Sequence, residues 1–391
     1  MKALSTRWLI EGGLGMAAIQ NALVVGGGFS GMAAAIQMRN AGIAVDLIEL
    51  DPKWRPEGAG ISLSGASLRA FETLGVYGDI VKGGYVADGV ALRAPHGVKV
   101  GAIPTPKVAG SDVAGGAGIL RPELARILAE ATLKAGVDVR PGCTYESFDD
   151  DGDKVFVAFS DGSRRGYDLM VGAEGLRSRL REKLFPEVAP PQYIGQVVWR
   201  AVVPRPAEIA QPTMWVGGAV KVGVNPVSQT HMYMFLTEGR SEKNQPDPAS
   251  WSKMLEDMVR PFPDPTAQAM IPHFYESGAN IDYRPLANLL VPAPWNRGRI
   301  VLIGDTVHAT TPHLASGAGI GVESGIVLGE ELARADDLQT ALDRFHARRW
   351  QRCRMTIENS EKICRIEMEH GDMAEHARIM RESIVALAAP I

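Results

Sequence analysis

Ala22-Leu23-Val24-Val25-Gly26-Gly27-Gly28-Phe29-Ser30-Gly31 is a short apolar run that ends in three glycines, with a fourth three positions on. A small-residue helix, Met32 to Asn40, follows, and a second apolar run, Ile43 to Leu50, carries Glu49 near its end. Strand, glycine turn, helix, strand is a βαβ unit. Each glycine of Gly26-x-Gly28-x-x-Gly31 has a mechanical reason. Gly26 permits the tight turn, Gly28 lets a pyrophosphate approach the backbone, and Gly31 lets the helix pack on the strand. The helix N-terminus adds positive potential. Glu49, eighteen residues after Gly31, is placed to accept both hydroxyls of an adenosine ribose. A glycine pattern alone is compatible with a plain turn. With strand, helix and acidic residue all in place, it predicts dinucleotide binding, without choosing between NAD and FAD.

The chain's 391 residues suffice for two or three sub-domains sharing a core. Lys+Arg of 41 against Asp+Glu of 45 leaves a formal charge of -4, which argues against a nucleic-acid binder. Cys143, Cys353 and Cys364 form no CxxC pair and read as reduced thiols of a cytoplasmic protein. No apolar stretch reaches the roughly 18 to 20 residues that cross a bilayer. Met1 to Gly15 has only the apolar patch Trp8-Leu9-Ile10, followed by Glu11, a poor fit to a signal peptide. These residues read as a disordered tail or an over-long start, with Met16 the alternative first residue.

Between Tyr193 and Thr237, β-rich stretches such as Val197-Val198-Trp199 and Met232-Tyr233-Met234-Phe235 are punctuated by Gly and Pro. They predict a mainly antiparallel sheet inserted as a second layer. Arg299 to Ile303 then reads as a fully buried strand, and from Leu338 to Ile391 the text is helical and charged. The expected organisation is an α/β nucleotide-binding domain over 18–182 and 284–337, a β-sheet substrate domain over 183–283, and a C-terminal helical region over 338–391. The last region packs on its own chain or pairs with another subunit, so monomer and homodimer are both open.

Three further elements occur in chain order. Gly58-Ala59-Gly60-Ile61-Ser62-Leu63 precedes a helix beginning near Ala66, and Arg121-x-x-Leu124 opens a helix from Pro122 to Ala135. Asp168-Leu169-Met170-Val171-Gly172-Ala173-Glu174-Gly175 runs on to Arg181. Finally Gly304-Asp305 ends the late strand, followed by His308, Pro312-His313, and Gly317-Ala318-Gly319 before a helix through Glu323. Together with the first glycine turn, this series closely resembles the aromatic-hydroxylase flavoproteins, the group A flavoprotein monooxygenases similar to p-hydroxybenzoate and salicylate hydroxylases. The resemblance spans Leu23 to roughly Trp350, specific at the motifs and loose between them.

The resemblance implies a Rossmann-like FAD-binding fold. Asp305 would bond the ribityl chain, and the helix after Gly317 would aim its N-terminus at the flavin pyrimidine ring, favouring the anionic reduced form. Gly26, Gly28, Gly31, Glu49, Arg121, Gly304, Asp305, Pro312, Gly317, Ala318 and Gly319 are the implied cofactor residues, and Arg181 is a candidate phosphate anchor. Three departures stand out. Glu174 replaces an Asp, Ala315-Ser316 stands where Gly-Gln is usual, and Ser324 replaces the Asp usual after Glu323. Gly321, Gly325 and Gly329 each cost up to ~1 kcal/mol relative to Ala inside a helix. They predict that something large, the cofactor or a second helix, passes close to that backbone.

The implied reaction uses NADPH or NADH to reduce FAD. Dioxygen then forms a C4a-hydroperoxyflavin that hydroxylates a small aromatic or heteroaromatic compound. No second GxGxxG unit is present for the nicotinamide, as is usual in that family. His308-x4-His313 lacks a companion carboxylate at ligand spacing, so no metal site is expected. His313, on the loop after Pro312, is the candidate catalytic group, a neutral imidazole able to accept a phenol proton, with His308 read as structural. Met214, Asn225, His231 and Tyr233 are candidate substrate residues, alongside Trp199, Arg200 and Trp215. A same-fold flavin oxidase or reductase without oxygen transfer, and a non-catalytic protein binding FAD or an aromatic ligand, stand as alternatives. Gly304-Asp305 argues against a plain NAD dehydrogenase, and the absence of a Trp-x-Trp-x-Ile-Pro stretch argues against a halogenase.

Overall fold

The computed structural model describes residues 17–54, 58–105, 108, 111–217, 220–241 and 243–391. The expectations for Met1 to Gly15 and for Met16 as a start lie outside the described residues. The βαβ unit is the strand Asn21–Val25, the helix Phe29–Asn40 and the strand Ala44–Glu49. The helix begins directly after Gly28, three residues earlier than the apolar pattern suggests. Val24 pairs in parallel with Leu47 on one side and with Val171 on the other. All three are fully buried, because helices cover both faces of a parallel sheet.

That sheet has six strands in the order Asn296–Arg297, Ile300–Leu302, Leu169–Gly172, Asn21–Val25, Ala44–Glu49, Asp138–Pro141. Every pairing is parallel except that of the edge strand Asn296–Arg297. The strands carrying Gly26, Gly172-Ala173 and Gly304 therefore end on one side, where parallel sheets place their ligands.

The second layer is an eight-stranded sheet, centred on the long strand Gln192–Pro204 between His231–Gly239 and Asp282–Leu290. It is antiparallel except where Thr213–Trp215 pairs in parallel with Val90–Arg93. Through that pairing the sheet reaches outside 183–283, taking in Val90–Arg93 and Lys99–Ile103. Both strands are short and their partner is more than a hundred residues away, so nothing in their local pattern announces the pairing. Trp199, Trp215, Phe262 and Phe274 fill a separate core behind this sheet.

The helix Gly317–Arg334 lies against Phe29–Asn40, and the long helix Leu338–Met368 runs alongside it. The last helix, Met373–Ala388, folds back on its own chain. Arg69 and Arg352 donate to the carbonyls at its C-terminal end, at 2.8 Å to Ala388 and 2.6 Å to Leu387. No helix of the described residues is long and apolar enough to cross a membrane.

Candidate active site

The first glycine turn is held by contacts that exclude side chains. Gly26 has φ +107°, and a Cβ there would meet the Ala173 carbonyl oxygen at 2.4 Å; one on Gly31 would meet the Gly26 oxygen at 2.0 Å. Gly28 differs. Its φ of -75° suits any residue, and a Cβ would meet nothing within 4 Å, because Gly28 faces a cavity. Glu49 is locked beside it, one carboxylate oxygen accepting the Gly27 N–H at 2.7 Å and the other the Asp51 N–H at 2.8 Å.

The second turn comes to the first. Gly304 has φ +63°, and a Cβ on it would sit 2.3 Å from the Ser30 hydroxyl. Asp305 thereby projects into the same cavity as Gly28 and Glu49. Its side chain is reachable from that space yet walled by protein, and burial pushes its carboxyl up, opposed by His308 and Arg121. Arg121 lines the cavity, its guanidinium 5.0 Å from the Phe29 ring centroid. Pro312, Gly317 and Ala318 also line it. Gly319 does not; it lets the helix approach Gly65–Thr73, where a Cβ would strike the Ser67 hydroxyl at 2.2 Å.

The helical glycines resolve in favour of the second helix. A Cβ on Gly325 would lie 2.5 Å from the Ala34 nitrogen, one on Gly329 2.7 Å from Gln37, and one on Gly321 2.4 Å from the Ser30 hydroxyl. The large object close to that backbone is the helix Phe29–Asn40.

Arg181 requires a correction. Its guanidinium is buried and donates to the carbonyls of Leu176 at 2.9 Å and Thr306 at 3.2 Å. It ties two loops together and does not face the cavity. Glu174 accepts from the Ser178 hydroxyl at 2.6 Å and the Leu180 N–H at 2.9 Å, so the longer side chain reaches the start of the helix Arg179–Leu184. Ala315 has φ +47° and ψ 32°, a left-handed conformation that costs an L-residue roughly 1–2 kcal/mol. The glycine usual at that position would adopt it freely.

The cavity, of ≈ 2010 Å3, continues past Asp305 to the inner face of the eight-stranded sheet. Met214, Asn225, Tyr233 and Arg200 line it; the Trp215 ring is buried in the core behind the sheet, its N–H donating to Asp264 at 2.6 Å. Asn225 donates to the Ser62 hydroxyl at 2.8 Å, and that hydroxyl lies 2.6 Å from the Tyr233 oxygen. A polar knot thus joins the Gly60–Ser64 strand to the sheet. Arg200 pairs with Asp282 at 3.3 Å. His231 is not brought there: it lies exposed at the start of its strand, its ring 2.9 Å from the Thr230 hydroxyl. Trp199 is buried in the second core, donating to Glu238 at 3.0 Å.

His313 sits at the cavity wall, but its ring is buried and both nitrogens have neighbours: Nδ1 lies 2.8 Å from the Thr311 hydroxyl and Nε2 3.5 Å from Glu367. Burial pushes its pKa down. His308 points away into the core, 2.9 Å from the Ser324 hydroxyl. Sequence reading missed Lys221, Glu367 and His376, which also line the cavity. Only the apolar spacing Met373, Ala377, Met380, Ile384 hinted that the last helix faces it.

Comparison with known proteins gives the same picture. The FAD binding domain family matches residues 20–360. The aurachin C monooxygenase/isomerase of Stigmatella aurantiaca is 30% identical over 353 residues, 88% of this chain and 88% of that protein. The FAD-dependent urate hydroxylase of Klebsiella pneumoniae is 28% identical over 372 residues, 90% of each. The crystal structure of Klebsiella pneumoniae HpxO complexed with FAD and uric acid superposes with a TM-score of 0.80 at 25% identity, covering 97% of this chain and 100% of that one. The chain belongs to the FAD binding domain family and is a flavoprotein monooxygenase of the aromatic-hydroxylase type.

Proposed function

We propose that this enzyme consumes NADPH or NADH and dioxygen to hydroxylate a small aromatic or heteroaromatic compound lying between the Asp305 loop and the inner face of the eight-stranded sheet. One observation carries the reading: Glu49, Gly28, Asp305, Asn225 and Tyr233 all open onto one cavity, long enough in its run of residues for a dinucleotide followed by a ring compound. Gly28, with open space where a side chain would be, fits a pyrophosphate passing over the helix N-terminus.

In this reading Glu49 accepts the adenosine ribose hydroxyls. Asp305 bonds the ribityl chain, and Arg121 supplies positive charge along the cavity. The N-terminus of Gly317–Arg334, whose Gly317 and Ala318 line the cavity, would stabilise negative charge on a bound redox ring. Bound FAD supplies hydride acceptance and dioxygen activation. The protein holds the substrate ring beside Met214, Asn225 and Tyr233 and keeps bulk water out with the last helix. Burial pushes the Tyr233 hydroxyl up, so Tyr233 acts as a neutral hydrogen-bonding group.

The test follows NADH and NADPH oxidation by the FAD-loaded protein with a panel of phenols, aminoaromatics and N-heterocycles, measuring product and peroxide together. At least one compound is expected to speed nicotinamide oxidation and appear oxygenated. Stimulated oxidation with stoichiometric peroxide and no product for every compound would instead establish an oxidase.

A further inference from the structure

We propose that His376, oriented by Glu367, is the base that takes the proton from the substrate's hydroxyl or ring N–H, an inference that rests on the hydroxylation proposed above. Glu367 lies one residue from the end of the helix Leu338–Met368, and a short turn returns the chain into Met373–Ala388. Asp372 fixes that turn by accepting the Ala374 N–H at 2.8 Å. His376 is thereby laid over Glu367, Nε2 to Oε1 at 3.0 Å. From the sheet, the Lys221 ammonium reaches both carboxylate oxygens, at 2.7 and 2.9 Å. From the Pro312 loop comes His313. Cys364, on the same helix as Glu367, also interacts with Glu367 and Lys221, and burial pushes its thiol up.

Burial works against the Glu367 anion, but His313, His376 and Lys221 outweigh it and hold the carboxyl well below the usual carboxylate range. A permanent anion on Nε2 fixes the imidazole with its proton on that nitrogen, leaving Nδ1 with the lone pair. Among the described residues no hydrogen bond engages Nδ1, and His376 lines the cavity. His313 lacks this freedom: Nδ1 is engaged by Thr311, and Nε2 is buried 3.5 Å from Glu367 with no hydrogen-bond partner among the described residues. His376 is therefore better placed as a base than the histidine beside Pro312.

The step is a proton transfer without redox change. The substrate O–H or N–H bond breaks and an N–H bond forms at Nδ1. The electron pair left behind enriches the ring that accepts oxygen; Glu367 shares its one negative charge between the Lys221 ammonium and the new imidazolium, and the substrate anion offsets the remaining positive charge. His376 would touch the substrate; Glu367 is a positioning residue.

The experiment compares the FAD-loaded parent with His376→Gln, which keeps a donor toward Glu367 but cannot take up a proton, and with Glu367→Gln. With a compound that the parent hydroxylates, His376→Gln is expected to lower product formation on the order of 10²-fold at neutral pH. The loss should shrink as pH rises and the substrate ionises unaided. An unchanged pH profile for product formation would overturn the proposal. A second readout needs no substrate: nitrogen NMR of histidine-labelled holoenzyme, with the His376 signal assigned by its loss in His376→Gln. The Nε2–H form, altered in Glu367→Gln, is expected; an Nδ1–H form would refute the assignment even if no compound were hydroxylated. Failure of the hydroxylation reading and failure of this one are thus distinguished.

Discussion

His308 and His346 are both embedded where a charged imidazole has no place. His308 donates Nε2–H to Ser324 Oγ, whose own proton goes to the Ile320 carbonyl, while Arg349 donates to the same oxygen. Burial, and then the Arg349 charge, push its pKa down to about 4. His346 accepts the Trp295 N–H on Nε2 at 2.9 Å, and burial pushes it to about 4 as well. In the unfolded chain each would titrate near 6.5. Between those values the unfolded state binds protons that the folded state refuses. Their contribution is complete above about pH 6.5 and is lost as pH falls toward about 4. The urea midpoint should fall across that window. His346→Gln, whose amide oxygen still accepts from Trp295, should make the fall shallower; an identical slope would count against the account. Gly26 and Gly31, whose needs are local, were legible in the sequence. Ser324 was flagged only as a departure, because its meaning comes from Arg349, twenty-five residues on. Glu367 and Lys221 meet across 146 positions, and no spacing rule reaches that far.

At the level of elements, the glycines of Gly317–Arg334 show how far a cost argument goes. Their destabilisation signals close approach, but two objects compete for that role. Geometry assigns it to the helix Phe29–Asn40, with the Gly325 and Ala34 backbones in near contact. Since both sides are backbone, neither can yield as a flexible side chain would. Gly325→Leu should therefore cost at least about 1–3 kcal/mol in urea unfolding, and it should displace the helix whose N-terminus borders the cavity. Unchanged stability would show that the two helices are looser than they look. Strand identity was legible from apolar runs, and sheet membership was not. Val90–Arg93 joins the second sheet through a parallel pairing with Thr213–Trp215, a contact set by three-dimensional closure and by no local pattern.

Across the whole molecule, two sheets and two C-terminal helices enclose one cavity, with the cofactor turns at one end and the sheet's inner face at the other. Gly28 separates the needs of folding from those of binding. Its backbone is ordinary, and a Cβ would touch no protein atom within 4 Å. Gly28→Val should leave the stability of the FAD-free protein within about 1 kcal/mol of the parent, the scale of an N-cap change. FAD titration of the FAD-free protein is the direct test. The account predicts one FAD per parent chain and an affinity in Gly28→Val weaker by about tenfold or more, about 1.4 kcal/mol. Equal affinity in parent and variant would contradict it, because the cofactor would then not cross the space above Gly28.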